Sequence, residues 1–213
     1  MEFSTLYPLV NDLPVFSSSL LQTGEVVPAY LQKQLTLWVK SGKLIQLRRG
    51  LYALPEPYRK TDPHPFTIAN QLVTPSYISL QSALAYYNLI PEDAPNITSV
   101  TSRKRTGVVS TPLGNFTYHS IKPAMFTGFH LQEVSHSQNV FLARPEKALL
   151  DLIYLTPDGE NPAFLKTLRL QNLNSLDFDW LQTFTKKLGK HKLMRAIANL
   201  ELLASEEEEY KSI

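Results

Sequence analysis

Three groups of residues carry side chains with chemical potential, and each points to a different chemistry. His119, His130 and His136 fall in one stretch rich in β-formers, where convergence would make a metal site. They lack the spacing that metal ligands use on a helix, so hydrogen-bonded strand or turn histidines are the simpler reading. Pro145-Glu146-Lys147-Ala148-Leu149-Leu150-Asp151 sets two carboxylates and an ammonium on one helix, a nuclease-like cluster if a metal sat among them. Local physics explains the same residues without a metal. Proline suits the first helical position, Glu146 suits the positive end of the helix dipole, and Lys147 and Asp151 form an i,i+4 pair. The Glu-x-Lys spacing of many metal-dependent nucleases is missing, so the structural explanation prevails. The third group is basic: Lys33, Lys40, Lys43, Arg48 and Arg49 crowd into seventeen residues, a footprint suited to a polyanion.

Other chemistry is missing from the sequence. There is no phosphate-cradling Gly-x-Gly-x-x-Gly or P-loop, no Gly-x-Ser-x-Gly turn and no His-Glu-x-x-His helix. The expectation is a protein with no catalytic residues, no metal and no cofactor, and not an enzyme. Cysteine is absent, which excludes disulfides and thiolate sites and fits a reducing, cytoplasmic setting. Glu2, Pro8 and Asn11-Asp12 are unlike a signal peptide. The uncharged run from Pro65 to Pro91 contains Asn70, Gln71, Gln81 and Asn88, too polar to span lipid. With 43% hydrophobic and 19% charged residues, the 213-residue chain has the makings of a packed core.

Charge is unevenly spread. The net value is +2, but residues 1–60 hold seven basic and four acidic groups, against fourteen and fifteen in the remainder. The elements predicted for that segment explain how its bases are displayed. Phe3 to Val10 makes a first helix, Pro14 opens a second that stops at Gly24, and Pro28 starts a third reaching about Ser41. In the third, Leu31, Leu35, Trp38 and Val39 share the buried side. Ala29, Tyr30, Lys33, Thr36, Leu37 and Lys40 lie opposite, a polar and basic face fit for the major groove. Gly42 ends this helix, and Lys43 follows it. Leu44–Leu47 and Leu51–Leu54 then form a hairpin with Arg48 and Arg49 at its tip, beside a phosphate backbone or minor groove. Three helices and a hairpin make a winged helix-turn-helix, predicted over residues 1–60.

Prolines at 55, 57, 63 and 65 place a joint near residue 61. Beyond it, residues 61–213 read as a second, α+β domain with a mostly antiparallel sheet and C-terminal helices. Helices are predicted at 66–72 and 80–87, with Ser79 as N-cap of the latter. Strands follow at 97–102, 108–111, 116–121, 129–134 and 140–143, then helices at 145–155, 162–170, 177–188 and 192–204. Glu206–Glu209 reads as a frayed tail. Arg103-Lys104-Arg105 lies between two strands with no local reason for its charge, so it is a candidate for nucleic-acid or partner contact. Lysines 186–192 have such a reason, because they flank the helix-ending Gly189.

Several of these segments together resemble a known family. Gly42-Lys43-Leu44, Arg49-Gly50-Leu51-Tyr52-Ala53-Leu54-Pro55, Pro75-Ser76-Tyr77-Ile78-Ser79-Leu80-Gln81-Ser82-Ala83-Leu84 and Leu89-Ile90-Pro91 come first. Thr98-Ser99-Val100-Thr101, Gly114-Asn115-Phe116-Thr117-Tyr118-His119 and Ala143-Arg144 running into the Pro145–Asp151 motif continue the order. This series resembles AbiEi-type antitoxins of type IV toxin–antitoxin systems over roughly residues 14–155. The resemblance implies a repressor of its own operon that binds repeated operator sites in duplex DNA; two copies on paired sites are expected, since doubled contacts raise effective affinity. It also implies an antidote to a nucleotidyltransferase-like toxin, acting with or without direct contact. Two other classes compete: a winged-helix-targeted nuclease or nucleotidyltransferase, and a ligand-sensing repressor using the tyrosine-rich surface near Tyr86 and Tyr87.

Overall fold

In the computed structural model, residues 2–21, 28–91, 95–104 and 106–211 are described. They form a mixed α+β fold with two sheets. The first helix, α1 (Phe3–Val10), turns Leu6 and Val10 inward. Pro14 does not open a second helix. It leads into a short strand, β1 (Phe16–Ser17), and a 3₁₀ turn at Ser18–Leu21. The Phe16 ring stacks on Tyr52 at 6.0 Å across the strand pair, an aromatic contact that favours extended backbone. The Ser17 hydroxyl accepts from the Ser19 amide, a local bond that competes with helix formation. The expected stop at Gly24 lies outside the described residues.

Helix α2 (Pro28–Lys40) follows, then β2 (Ile45–Arg48) and β3 (Leu51–Ala53). Leu31, Leu35 and Trp38 of α2 are buried, as their spacing requires. Gly42, at φ +71°, lets the chain leave the helix while its amide still bonds to Val39. Strands β1, β3 and β2 form a small antiparallel sheet with β3 in the centre. The two faces of the hairpin serve different cores. Leu44, Tyr52 and Leu54 pack with α1 and α2, while Leu47, Leu51 and Ala53 join the larger core formed by the rest of the chain. The proline joint near residue 61 therefore does not divide the packing cleanly.

The second sheet is built around α3 (Pro65–Leu72), β4 (Ser76–Ile78), α4 (Leu80–Tyr86), β5 (Ile97–Thr101), β6 (Gly107–Thr111), β7 (Gly114–Ser120), β8 (Phe129–Ser135) and β9 (Gln138–Ala143). Its order is β6-β7-β5-β4-β9-β8. Both outer hairpins and the central β4–β5 pair are antiparallel, but β5–β7 and β4–β9 are parallel. Helices α5 (Pro145–Leu155), α6 (Pro162–Thr167), α7 (Phe178–Leu188) and α8 (His191–Lys211) complete the chain. Glu206–Glu209 is no frayed tail: it continues α8, and the Glu207 carboxylate accepts from the amides of Asn172 and Leu173 at 3.0 Å. A turn start with free N–H groups is thereby satisfied. Ser79 does not cap α4; its hydroxyl is turned to Asp151 instead.

Candidate nucleic-acid interface

The outer side of α2 presents Ala29, Tyr30, Lys33, Thr36, Leu37 and Lys40, all exposed. Tyr30 is 51% accessible and Leu37 49%. The Thr36 hydroxyl donates to the Gln32 carbonyl at 2.8 Å, so its remaining capacity is as an acceptor and through its methyl group. Among the described residues, the ion-paired bases include Arg59, Lys60, Arg144, Lys147 and Arg195. Lys33 and Lys40 are not among them. Among the described residues no carboxylate pairs with either, which leaves both charges available to an anion.

Lys43 departs from this row. It is half-buried, with its ammonium 5.3 Å from the Phe3 ring centroid, turned toward α1 rather than along the outer face. At the hairpin tip the two arginines also differ. Arg48 donates to the carbonyls of Arg49 and Gln71, each at 3.2 Å, and so ties the hairpin to the end of α3. Arg49 is exposed and has no such partner among the described residues.

Arg103 and Lys104 lie at the end of the second sheet near which α3, the helix that Arg48 holds, also ends. Strands β5 and β7 end where β4 and β6 begin, since Ser76 pairs with Thr101, Thr101 with Ser120, and Gly107 with Tyr118. Helix α3 ends there as well: the Tyr118 hydroxyl donates to the Ala69 carbonyl at 2.7 Å. The Thr101 hydroxyl donates to the Pro75 carbonyl at 2.6 Å and accepts from the Arg103 amide at 3.2 Å. Arg48, Arg103 and Lys104 thus share one end of the molecule. Lys122, exposed just after β7, belongs with them and was missed as a single lysine. The usable signal is the absence of any Asp or Glu from residues 94–132. Arg105 lies outside the described residues.

The carboxylates and lysine of the Pro145–Asp151 motif have a different fate. Lys147 and Asp151 are fully buried. The Lys147 ammonium pairs with Asp151 and donates to the Tyr77 hydroxyl at 2.8 Å. The Tyr77 and Ser79 hydroxyls both donate to Asp151, at 2.8 and 2.9 Å. Burial pulls Lys147 down from the usual lysine range and pushes Asp151 up, with their mutual attraction opposing both shifts. Burial, then the Asp151 charge, holds the Tyr77 phenol well above its ordinary range. Gly128, at φ +79°, lies so close that an added Cβ would be 3.1 Å from the Lys147 stem. This circuit is closed and sealed from solvent. Glu146 turns elsewhere, accepting from the Asp177 amide at 2.9 Å and joining α5 to α7.

The histidines do not converge. His119 lies on β7 and His130 on β8, four places apart in the sheet, and no three metal-binding side chains cluster among the described residues. Burial lowers His119 below the usual imidazole range. The tyrosine surface near α4 is partly committed. The Tyr87 hydroxyl donates to the Ala143 carbonyl at 3.0 Å, and burial, chiefly, pushes it up to about 12. No helix among the described residues is long and apolar enough to cross a membrane. No protein-family model matches the chain, and no curated protein matches it.

Proposed function

We propose that the protein is a duplex-DNA-binding repressor whose first 60 residues act as a winged helix-turn-helix. The order helix, strand, turn, helix, hairpin suits that fold, with α2 as the reading helix and β2–β3 as the wing. The observation that carries the reading is that Lys33 and Lys40 on α2 and Arg49 at the hairpin tip are exposed and, among the described residues, without an acidic partner. Tyr30 and Lys33 stand in the N-terminal half of α2 and Thr36 just past its middle, on the face that would reach base edges. Lys40 and Arg49 would neutralise phosphates, and Arg103, Lys104 and Lys122 extend the positive surface to the sheet end. Two copies on repeated operator sites would double these contacts.

The biological setting follows from the resemblance to AbiEi-type antitoxins. In that setting the repressor controls its own operon and counteracts a nucleotidyltransferase-like toxin, its larger core forming the antitoxin part in the cytoplasm. Two assays test the proposal. Fluorescence anisotropy with labelled duplexes from the chain's own upstream region should show saturable binding that tightens on repeated sites. Co-expression with an adjacent nucleotidyltransferase-like gene product should restore growth. Absence of duplex binding at low salt defeats the repressor, and absence of rescue defeats the antitoxin.

A further inference from the structure

Between α1 and α2 lies a cavity of about 720 Å³, walled by Phe3, Tyr7, Tyr30, Trp38 and Tyr58, with the Lys43 ammonium among them. Its volume falls within the range of about 300–1,000 Å³ usual for small-molecule sites. Its walls are not an accident of loose packing. Phe3 makes edge contacts with Trp38 and Tyr58 at centroid distances of 5.7 and 5.4 Å, and Trp38 is only 7% exposed. Phe3, Tyr7, Trp38 and Tyr58 are held by the core behind them. Flat rings presenting faces and edges favour another flat ring over a branched aliphatic group.

Charge narrows the class further. Lys43 is half-buried and has no carboxylate partner among the described residues, while Glu2, the acid on the lining among them, is exposed at the rim, where solvent screens its charge. We infer that this groove binds a planar aromatic anion of one or two rings, and that its occupancy opposes duplex binding. The competition follows from Tyr30, which lines the groove and also stands on the exposed face of α2. One side chain cannot close over a ligand and meet a base edge at once. Linkage makes the effect mutual. The competition rests on the duplex-binding reading; the ligand site does not.

Amide-resolved NMR of the full chain with 2-naphthoate tests the site, with neutral 2-naphthamide as comparison. Saturable shifts centred on the Trp38 indole N–H and residues of α1 are expected. Naphthoate should bind about fivefold more weakly to Lys43→Gln, and naphthamide should match that weaker value on the unaltered protein. The naphthamide comparison also stands if Lys43→Gln fails to fold. No saturable shift up to about 10 mM, shifts centred elsewhere, or equal affinity for acid and amide would overturn the inference. Anisotropy then measures duplex affinity with the groove saturated, where a severalfold loss is expected. Unchanged affinity overturns the competition. Absence of duplex binding without naphthoate defeats the functional reading and the competition with it, while the NMR shifts decide the ligand site alone.

Discussion

The outer face of α2 and the centre of the larger core are built from the same kinds of side chain, with opposite results. Both bring together lysine, tyrosine and a hydroxyl. In the core, Lys147, Asp151, Tyr77 and Ser79 satisfy one another and are sealed. On α2, Lys33 and Lys40 meet no acid among the described residues, and Tyr30 is half in solvent. A motif that looks reactive in sequence can thus be wholly consumed by the fold. Groups left unsatisfied at the surface are the ones available to a partner. Residue type alone does not separate these outcomes; closure of the hydrogen-bond circuit does.

The largest effect should come from breaking the closed circuit. Lys147→Met leaves the Asp151 carboxylate buried without its cation and should cost about 4 kcal/mol of stability, measured by denaturant unfolding. Duplex affinity of the folded fraction should be unchanged. Adding Asp151→Leu should recover part of the loss, because an apolar pair is cheaper than a stranded charge. If Lys147→Met were neutral to stability but abolished an activity, the cluster would be functional and the comparison would fail.

Leu51→Ala sharpens the boundary between the regions. Leu51 belongs to the larger core although it lies in the hairpin, so the truncation should cost about 3 kcal/mol and loosen the tip that carries Arg49. A loss confined to the first 60 residues, seen as hydrogen exchange accelerating only there, would show that the hairpin does not couple the two cores.

Replacing Tyr30, Lys33 and Thr36 together with alanine should alter sequence preference, by about 1–3 kcal/mol at individual base pairs. Selection from a randomised duplex pool reads this directly. An unchanged consensus would remove α2 as the reader. The smallest predicted difference separates the two hairpin arginines. Arg49→Ala should leave stability within about 0.5 kcal/mol, whereas Arg48→Ala should cost about 1 kcal/mol, because it also breaks the bonds to Gln71 and Arg49. Equal melting temperatures would show that those bonds contribute nothing.

Long periodic segments and hairpins were legible in the sequence. Pro145–Leu155 emerges with its expected ends, and the outer face of α2 is the one its 3.6-residue period marks. Short elements fixed by partners far along the chain were not. Ser76–Ile78 is a fully buried strand of three residues, without alternation because both faces are covered. Phe16–Ser17 is extended only because β3 lies beside it. The i,i+4 spacing foretold the Lys147–Asp151 pair, but its burial depends on Tyr77 and Ser79, some seventy residues away. The convergence of Arg48 with Arg103 and Lys104 required the strand order, which local pattern does not contain.

Salt dependence of duplex binding tests the open half of the comparison most directly. If the exposed bases neutralise phosphates, the logarithm of the association constant falls linearly with the logarithm of salt concentration. For Lys33→Ala/Lys40→Ala/Arg49→Ala the slope should be shallower than that of the unaltered chain by about three units, roughly one per phosphate contact. Melting temperatures should coincide, since none of the three side chains is ion-paired among the described residues. Identical slopes for the two proteins, or no binding by either at low salt, would contradict the assignment of this face to DNA.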